Sequence, residues 1–137
     1  MNKPIIADTS ALISLASVTD SNHSLALTTS AQIQKTKRSL IIPADVFTET
    51  INTIGKKIDH AQAVAVGEQL LSSTDLIIEE ASPALRQLAF NRFSQQPGSV
   101  SFTDCLVMAY ADHYQTTEIF GFDEAFRKNG FIRLGLD

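Results

Sequence analysis

Apolar runs of three or four residues recur along the chain, each followed by a polar residue and a longer amphipathic stretch. Pro4 to Ala7, Leu40-Ile41-Ile42, Leu76-Ile77-Ile78 and a run from Glu118 to Phe120 or Phe122 read as short strands. Continuous apolar runs of this length suit strands covered on both faces. Phe131 to Leu134 reads as a final strand. Between them the pattern predicts helices: Thr9 or Ser10 to about Ser17, and a second stretch reaching Arg38 with Leu25, Leu27, Ala31 and Ile33 as its apolar signal. A third helix starts near Ala44, where Phe47, Ile51, Ile54 and Ile58 recur at helical spacing. A fourth runs from about Asp59 to Ser72. Ser82-Pro83 reads as N-cap and first turn of a helix reaching Phe93. Gln95 to Ser99 is a loop, and Ser101-Phe102-Thr103-Asp104 resembles a capping box. The stretch from Cys105 to Tyr114 is apolar nearly all round, which places it in the core. Asp123 to Lys128 is a short helix closed by Asn129-Gly130. Strands alternating with helices imply right-handed crossovers, hence one α/β/α domain over residues 1–137 with a central parallel sheet.

The composition changes this picture little. The 137 residues are 44% hydrophobic and 19% charged, which is globular rather than disordered. No apolar run reaches membrane-span length, and Asp8 interrupts any N-terminal leader pattern. The lone Cys105 precludes an internal disulfide, so a cytoplasmic location is expected. No Cys/His cluster offers a zinc site. The net charge of −4 argues against a uniformly basic nucleic-acid binder, although acids gathered in one metal site would account for the whole excess.

The acids carry the candidate chemistry. Asp8 directly follows the first apolar run, at the sheet edge where ligands bind in open α/β folds. Asp123 follows the fourth strand, Asp104 opens the core helix and Glu49 lies on the helix after the second strand. Like charges about 4 Å apart repel by roughly 1–4 kcal/mol. Hard divalent cations held by carboxylate oxygens are the usual compensation. Each acid also has a structural reading. Asp8 and Asp123 suit helix N-caps, Asp104 suits a capping box, and Glu49 lies opposite the Phe47/Ile51/Ile54/Ile58 stripe on a solvated face. Asp45 lies close to Glu49 in sequence, and Asp112 lies two turns after Asp104 with a surface role expected.

Four segments together resemble the PIN domain family. They are Ile6-Ala7-Asp8-Thr9-Ser10-Ala11-Leu12, a glutamate on the helix after strand 2, Ser101-Phe102-Thr103-Asp104, and Phe120-Gly121-Phe122-Asp123-Glu124-Ala125-Phe126. Their order, spacing and total length are similar to those of VapC-type toxins of bacterial toxin-antitoxin pairs. The resemblance implies a Mg²⁺- or Mn²⁺-dependent endoribonuclease with Asp8, Glu49, Asp104 and Asp123 as its catalytic acids, and with Asp8, Asp104 and Asp123 as metal ligands. Thr9 or Ser10 would supply a supporting hydroxyl, and Ser101 or Thr103 would cap the core helix beside the site. It also implies an RNA substrate, a cognate antitoxin protein and a homodimer. The inhibitor would insert an arginine among the acids and lie in an apolar groove around Leu12, Leu15, Leu25 and Ile54.

Other classes fit less well. An aspartyl phosphatase needs a second acid two residues after the first, where this chain has Ser10. A receiver domain wants an acid pair and a lysine that are not evident, and no Gly-rich phosphate loop follows a strand. The alternative from a different class is a catalytically silent PIN-like domain that binds RNA or protein.

Overall fold

The computed structural model describes residues 2–137. Five strands form one parallel sheet: β1 (Ile5–Ala7), β2 (Leu40–Pro43), β3 (Leu76–Glu79), β4 (Glu118–Phe120) and β5 (Ile132–Arg133). Seven helices connect them: α1 (Thr9–Ala16), α2 (His23–Thr36), α3 (Ala44–Lys57), α4 (His60–Ser72), α5 (Pro83–Phe93), α6 (Phe102–His113) and α7 (Glu124–Lys128). The strand order is β3-β2-β1-β4-β5. From β1 the chain moves outward through β2 to β3, then crosses back over β1 to β4 and β5. With right-handed crossovers, α1 to α4 cover one face and α5 to α7 the other. The expected α/β/α architecture is what the chain adopts.

The order reverses between β1 and β4, which pair through Ile6 with Ile119 and Ala7 with Phe120. A crevice opens outside the carboxyl ends of strands at such a switch point. The core beneath it is dry. Ile5, Ile6 and Ala7 are at most 1% exposed, and on α6 every residue from Asp104 to Ala111 is buried. α6 packs across β1, β2 and β4 with α5 behind it.

Three helical expectations shift by a residue or more. The buried residues of α3 are Val46, Thr50 and Ile54; Ile54 is buried as expected, whereas Val46 and Thr50 lie one position before the expected Phe47 and Ile51. Ile58 has left the helix as its C-cap and is exposed. The large apolar residues of α3 are shared between the sheet and α4, whose Gly67 lets Ile51 come close. α2 buries Ala26, Thr29 and Ile33 and leaves Leu27 and Ala31 exposed. α6 begins at Phe102, because the capping box sets its start. β5 is shorter than the expected Phe131–Leu134 run.

Candidate active site

Asp8 caps α1 at the point where β1 ends. Its backbone N–H extends the ladder to the Phe120 carbonyl at 2.9 Å, so the residue is locked to β4 as well as to β1. Its carboxylate is 3% exposed. Oδ2 accepts from the Ser10 N–H at 3.2 Å and from the Ser10 hydroxyl at 2.8 Å. Burial, and then the negative charge of Asp104, push the Asp8 carboxyl up to about 7, against the lowering effect of the Ser10 hydrogen bonds.

Asp104 reaches the same place from the other face of the sheet. The Ser101 hydroxyl accepts from the Asp104 N–H at 3.0 Å, and Asp104 Oδ2 accepts from the Ser101 N–H at 3.3 Å, completing the expected capping box. Burial raises the Asp104 carboxyl, and the charges of Asp123 and Glu49 raise it further. Asp104 is thus electrostatically linked to each of the other acids, its own carboxyl raised by Asp123 and Glu49 and its charge raising that of Asp8. Asp123 is exposed and caps α7 through Oδ1, which accepts from the Ala125 N–H at 2.9 Å. Glu49 is exposed on α3 and borders an open polar groove with Thr48, Asn52, Lys56 and Thr103.

The structure thus brings all four acids to one end of the sheet and also gives three of them their capping roles. The two readings are compatible, because each cap engages one carboxylate oxygen. As they stand, no three His, Cys, Asp or Glu side chains among the described residues are grouped closely enough to hold one metal ion. The donor chemistry suits a hard divalent cation nonetheless. Mg²⁺ keeps several waters and takes one or two carboxylates plus substrate phosphate in place of an all-protein cage. A buried carboxyl held near 7 is an environment a cation would relieve, and the Thr9 hydroxyl is also buried without a hydrogen-bond partner.

The hydroxyl residues sort themselves. Ser10, not Thr9, supports Asp8. Ser101 caps α6, whereas Thr103 faces the groove beside Glu49. Asp45 borders the same groove as Glu49, but its carboxylate is engaged in a two-point ion pair with Arg86 at 3.0 and 3.1 Å, and Asp112 pairs with Arg92 at 2.6 Å on the surface. Cys105 is a core residue, as expected. Two features carried too little sequence signal to be found. A Cβ on Gly121 would stand 2.6 Å from the Asp8 Cβ and 2.9 Å from the Phe126 ring, so only glycine lets the loop after β4 close on Asp8. Arg133 grips the same loop from β5.

The apolar groove differs from expectation. A cavity of about 710 Å³ lies between α1, α2 and α4, bordered by Leu12, Leu15, Leu27, Ile33, Val66 and Leu70. Ile54 is fully buried in the core and Leu25 is packed beside Gly135, so neither lines it. Among the described residues, no helix is long and apolar enough to cross a membrane.

Comparison with known proteins agrees with the fold. The family model described as the PIN domain matches residues 5–132. The crystal structure of the Mycobacterium tuberculosis VapC20 toxin, described as cleaving the sarcin-ricin loop, is similar in fold. Its TM-score is 0.83 at 23% identity, covering 95% of this chain and 98% of that one. No curated protein matches the chain significantly.

Proposed function

Since the chain belongs to the PIN domain family, we propose that it is a Mg²⁺- or Mn²⁺-dependent endoribonuclease and the toxin of a toxin-antitoxin pair. The observation that carries this reading is that Asp8 and Asp104 are both buried, where β1 ends and α6 begins, with the Asp104 charge helping to raise the Asp8 carboxyl. Two carboxylates that repel in a dry place are stabilised by a shared cation. Such an ion, when bound, polarises the phosphodiester and acidifies an attacking water. Asp8 and Asp104 would hold it, with Asp123 at the rim. Ser10 orients the Asp8 carboxylate, and Glu49 faces the solvent side from which substrate arrives. The site is read as acting on single-stranded or loop RNA, whose bases can be splayed out as those of a regular duplex cannot.

The test is cleavage of a labelled stem-loop RNA by the purified protein with Mn²⁺ or Mg²⁺, run beside a thermal melt with and without Mn²⁺. Cleavage that stops in EDTA, with a raised melting temperature in Mn²⁺, is expected. Cleavage that persists in EDTA would overturn the metal mechanism. A second reading is favoured by one observation: three of the acids already serve as caps and no three are grouped to hold an ion. Absence of both cleavage and a Mn²⁺ shift would establish that reading, a silent PIN-like domain that binds RNA or protein.

The toxin reading brings partners. A cognate antitoxin would seat an apolar segment in the groove beside Leu12, Leu15 and Leu27 and direct an arginine to the acids, competing with the metal. The free protein is read as a cytoplasmic homodimer. A complex with its neighbouring gene product that binds Mn²⁺ and cleaves as well as free protein would refute this inhibition. A strict monomer at high micromolar concentration would refute the dimer.

A further inference from the structure

The loop between β4 and α7 leads into Asp123, and its residue Phe122 is held at both its N–H and its carbonyl. The Phe122 N–H donates to the Ser10 hydroxyl at 2.9 Å, and that hydroxyl donates onward to Asp8 Oδ2 at 2.8 Å. The Phe122 carbonyl accepts from Arg133 Nη1 at 3.2 Å. Arg133 is itself pinned. Its Nε and Nη2 make a two-point pair with Asp137 at 3.0 and 2.9 Å, and Nη1 also lies 3.1 Å from Glu124, the residue after Asp123. The Arg133 side chain is only 13% exposed, so this is not a loose surface pair. One side of Phe122 is therefore tied to the first acid and the other to the guanidinium of Arg133, the last residue of β5, which Asp137 anchors.

We propose that Arg133 is a positioning residue for the acid site, holding the Phe122 carbonyl and, through the peptide that carbonyl shares with Asp123, setting Asp123 relative to Asp8 and Asp104. The planar fork matters. Nε and Nη2 engage the Asp137 carboxylate while Nη1 stays free to reach the Phe122 carbonyl and Glu124. A lysine, with one compact ammonium, cannot do both. Gly121 completes the arrangement by removing the Cβ that would push the loop off Asp8.

This inference rests on the metal-nuclease reading, so its test has one arm that does not. Hydrogen exchange of the metal-free protein reads the backbone amides of this loop directly. Arg133→Gln should speed exchange across Gly121 to Ala125, and Arg133→Lys should restore it only in part. Unchanged exchange in Arg133→Gln would overturn the clamp whether or not the protein is a nuclease. The second arm is Mn²⁺ titration by thermal shift. Partners behind metal ligands typically contribute ten- to a hundredfold in affinity, and a loss of at least about tenfold is expected for Arg133→Gln. In Asp123→Asn the same substitution should cost little more, because Arg133 acts through Asp123; additive losses would overturn that route. If Arg133→Gln fails to fold, Asp137→Asn keeps the guanidinium and removes only its anchor. It should show the same faster exchange to a smaller degree, and wild-type exchange in it would refute the anchor. Wild-type protein that neither binds Mn²⁺ nor cleaves RNA would refute the nuclease reading while leaving the exchange arm to decide the clamp.

Discussion

Asp8 and Asp104 are buried where β1 ends and α6 begins, while Glu49 and Asp123 stand in solvent at the rim of the same crevice. Both inner carboxyls are raised from their ordinary value, chiefly by burial and then by neighbouring negative charge. The difference shows that a shared location does not mean a shared cost. The inner acids lose solvation and repel in a low dielectric, so they are the ones a cation would stabilise most. The rim acids retain water and contribute charge without that penalty.

The largest test of this contrast is substitution of the inner pair. Asp8→Asn or Asp104→Asn should lower RNA cleavage by more than about a hundredfold, since even partners behind metal ligands cost up to that much. The Mn²⁺-induced rise in melting temperature should vanish with it. Retention of the shift in both variants would end the metal-site reading.

A pH series on the metal-free protein follows in size. Asp8 rises from 3.8 to about 7 on folding, so the folded state holds its proton longer than the unfolded chain does. Its contribution is fully present below the unfolded value and is lost as pH climbs toward 7. Burial of the charge should thus lower stability by up to about 4 kcal/mol across that window. Denaturant melts in EDTA at several pH values would measure this, and Asp8→Asn should flatten the profile. Asparagine still caps a helix well, so this variant should be no less stable than wild type at neutral pH. A loss above about 1 kcal/mol there would mean that the Ser10 hydrogen bonds matter more than the charge.

Gly121→Ala probes the contact between the two regions. Overpacking against Asp8 and Phe126 should cost about 1–3 kcal/mol, read as a lowered melting temperature. Unchanged stability would show that the loop yields easily. The smallest effect belongs to the rim: Glu49→Gln should leave the metal-free melt within about 0.5 kcal/mol of wild type. Its cleavage loss should stay below that of the Asp8 variant. A larger loss would move Glu49 into the inner set.

Elements with local causes were legible from the chain. Ser82-Pro83 starts α5 and Ser101 to Asp104 starts α6, because caps are made by residues a few positions apart. The strands, the core helix and the sequence positions of all four acids follow from short-range pattern in the same way. Asp8 as a cap was equally legible, which is why the sequence could state both of its readings without choosing. The expected α3 stripe differs from the buried one because Ile51 packs toward Gly67 of α4, and periodicity cannot assign an apolar residue to one neighbour or another.

What the sequence determined by itself is the alternation of strand and helix, the caps and the family signature, all of which depend on neighbours along the chain. Only the tertiary structure decided the rest. The reversal of strand order between β1 and β4 sets Asp8 beside the loop that carries Asp123. Ser10 meets Phe122 across 112 positions of sequence, and Gly121 is needed only because Asp8 lies against it. Burial depth, which separates the inner acids from the rim, is a property of the packed layers. No residue carries its own desolvation in its name, since that cost is set by what the fold places around it.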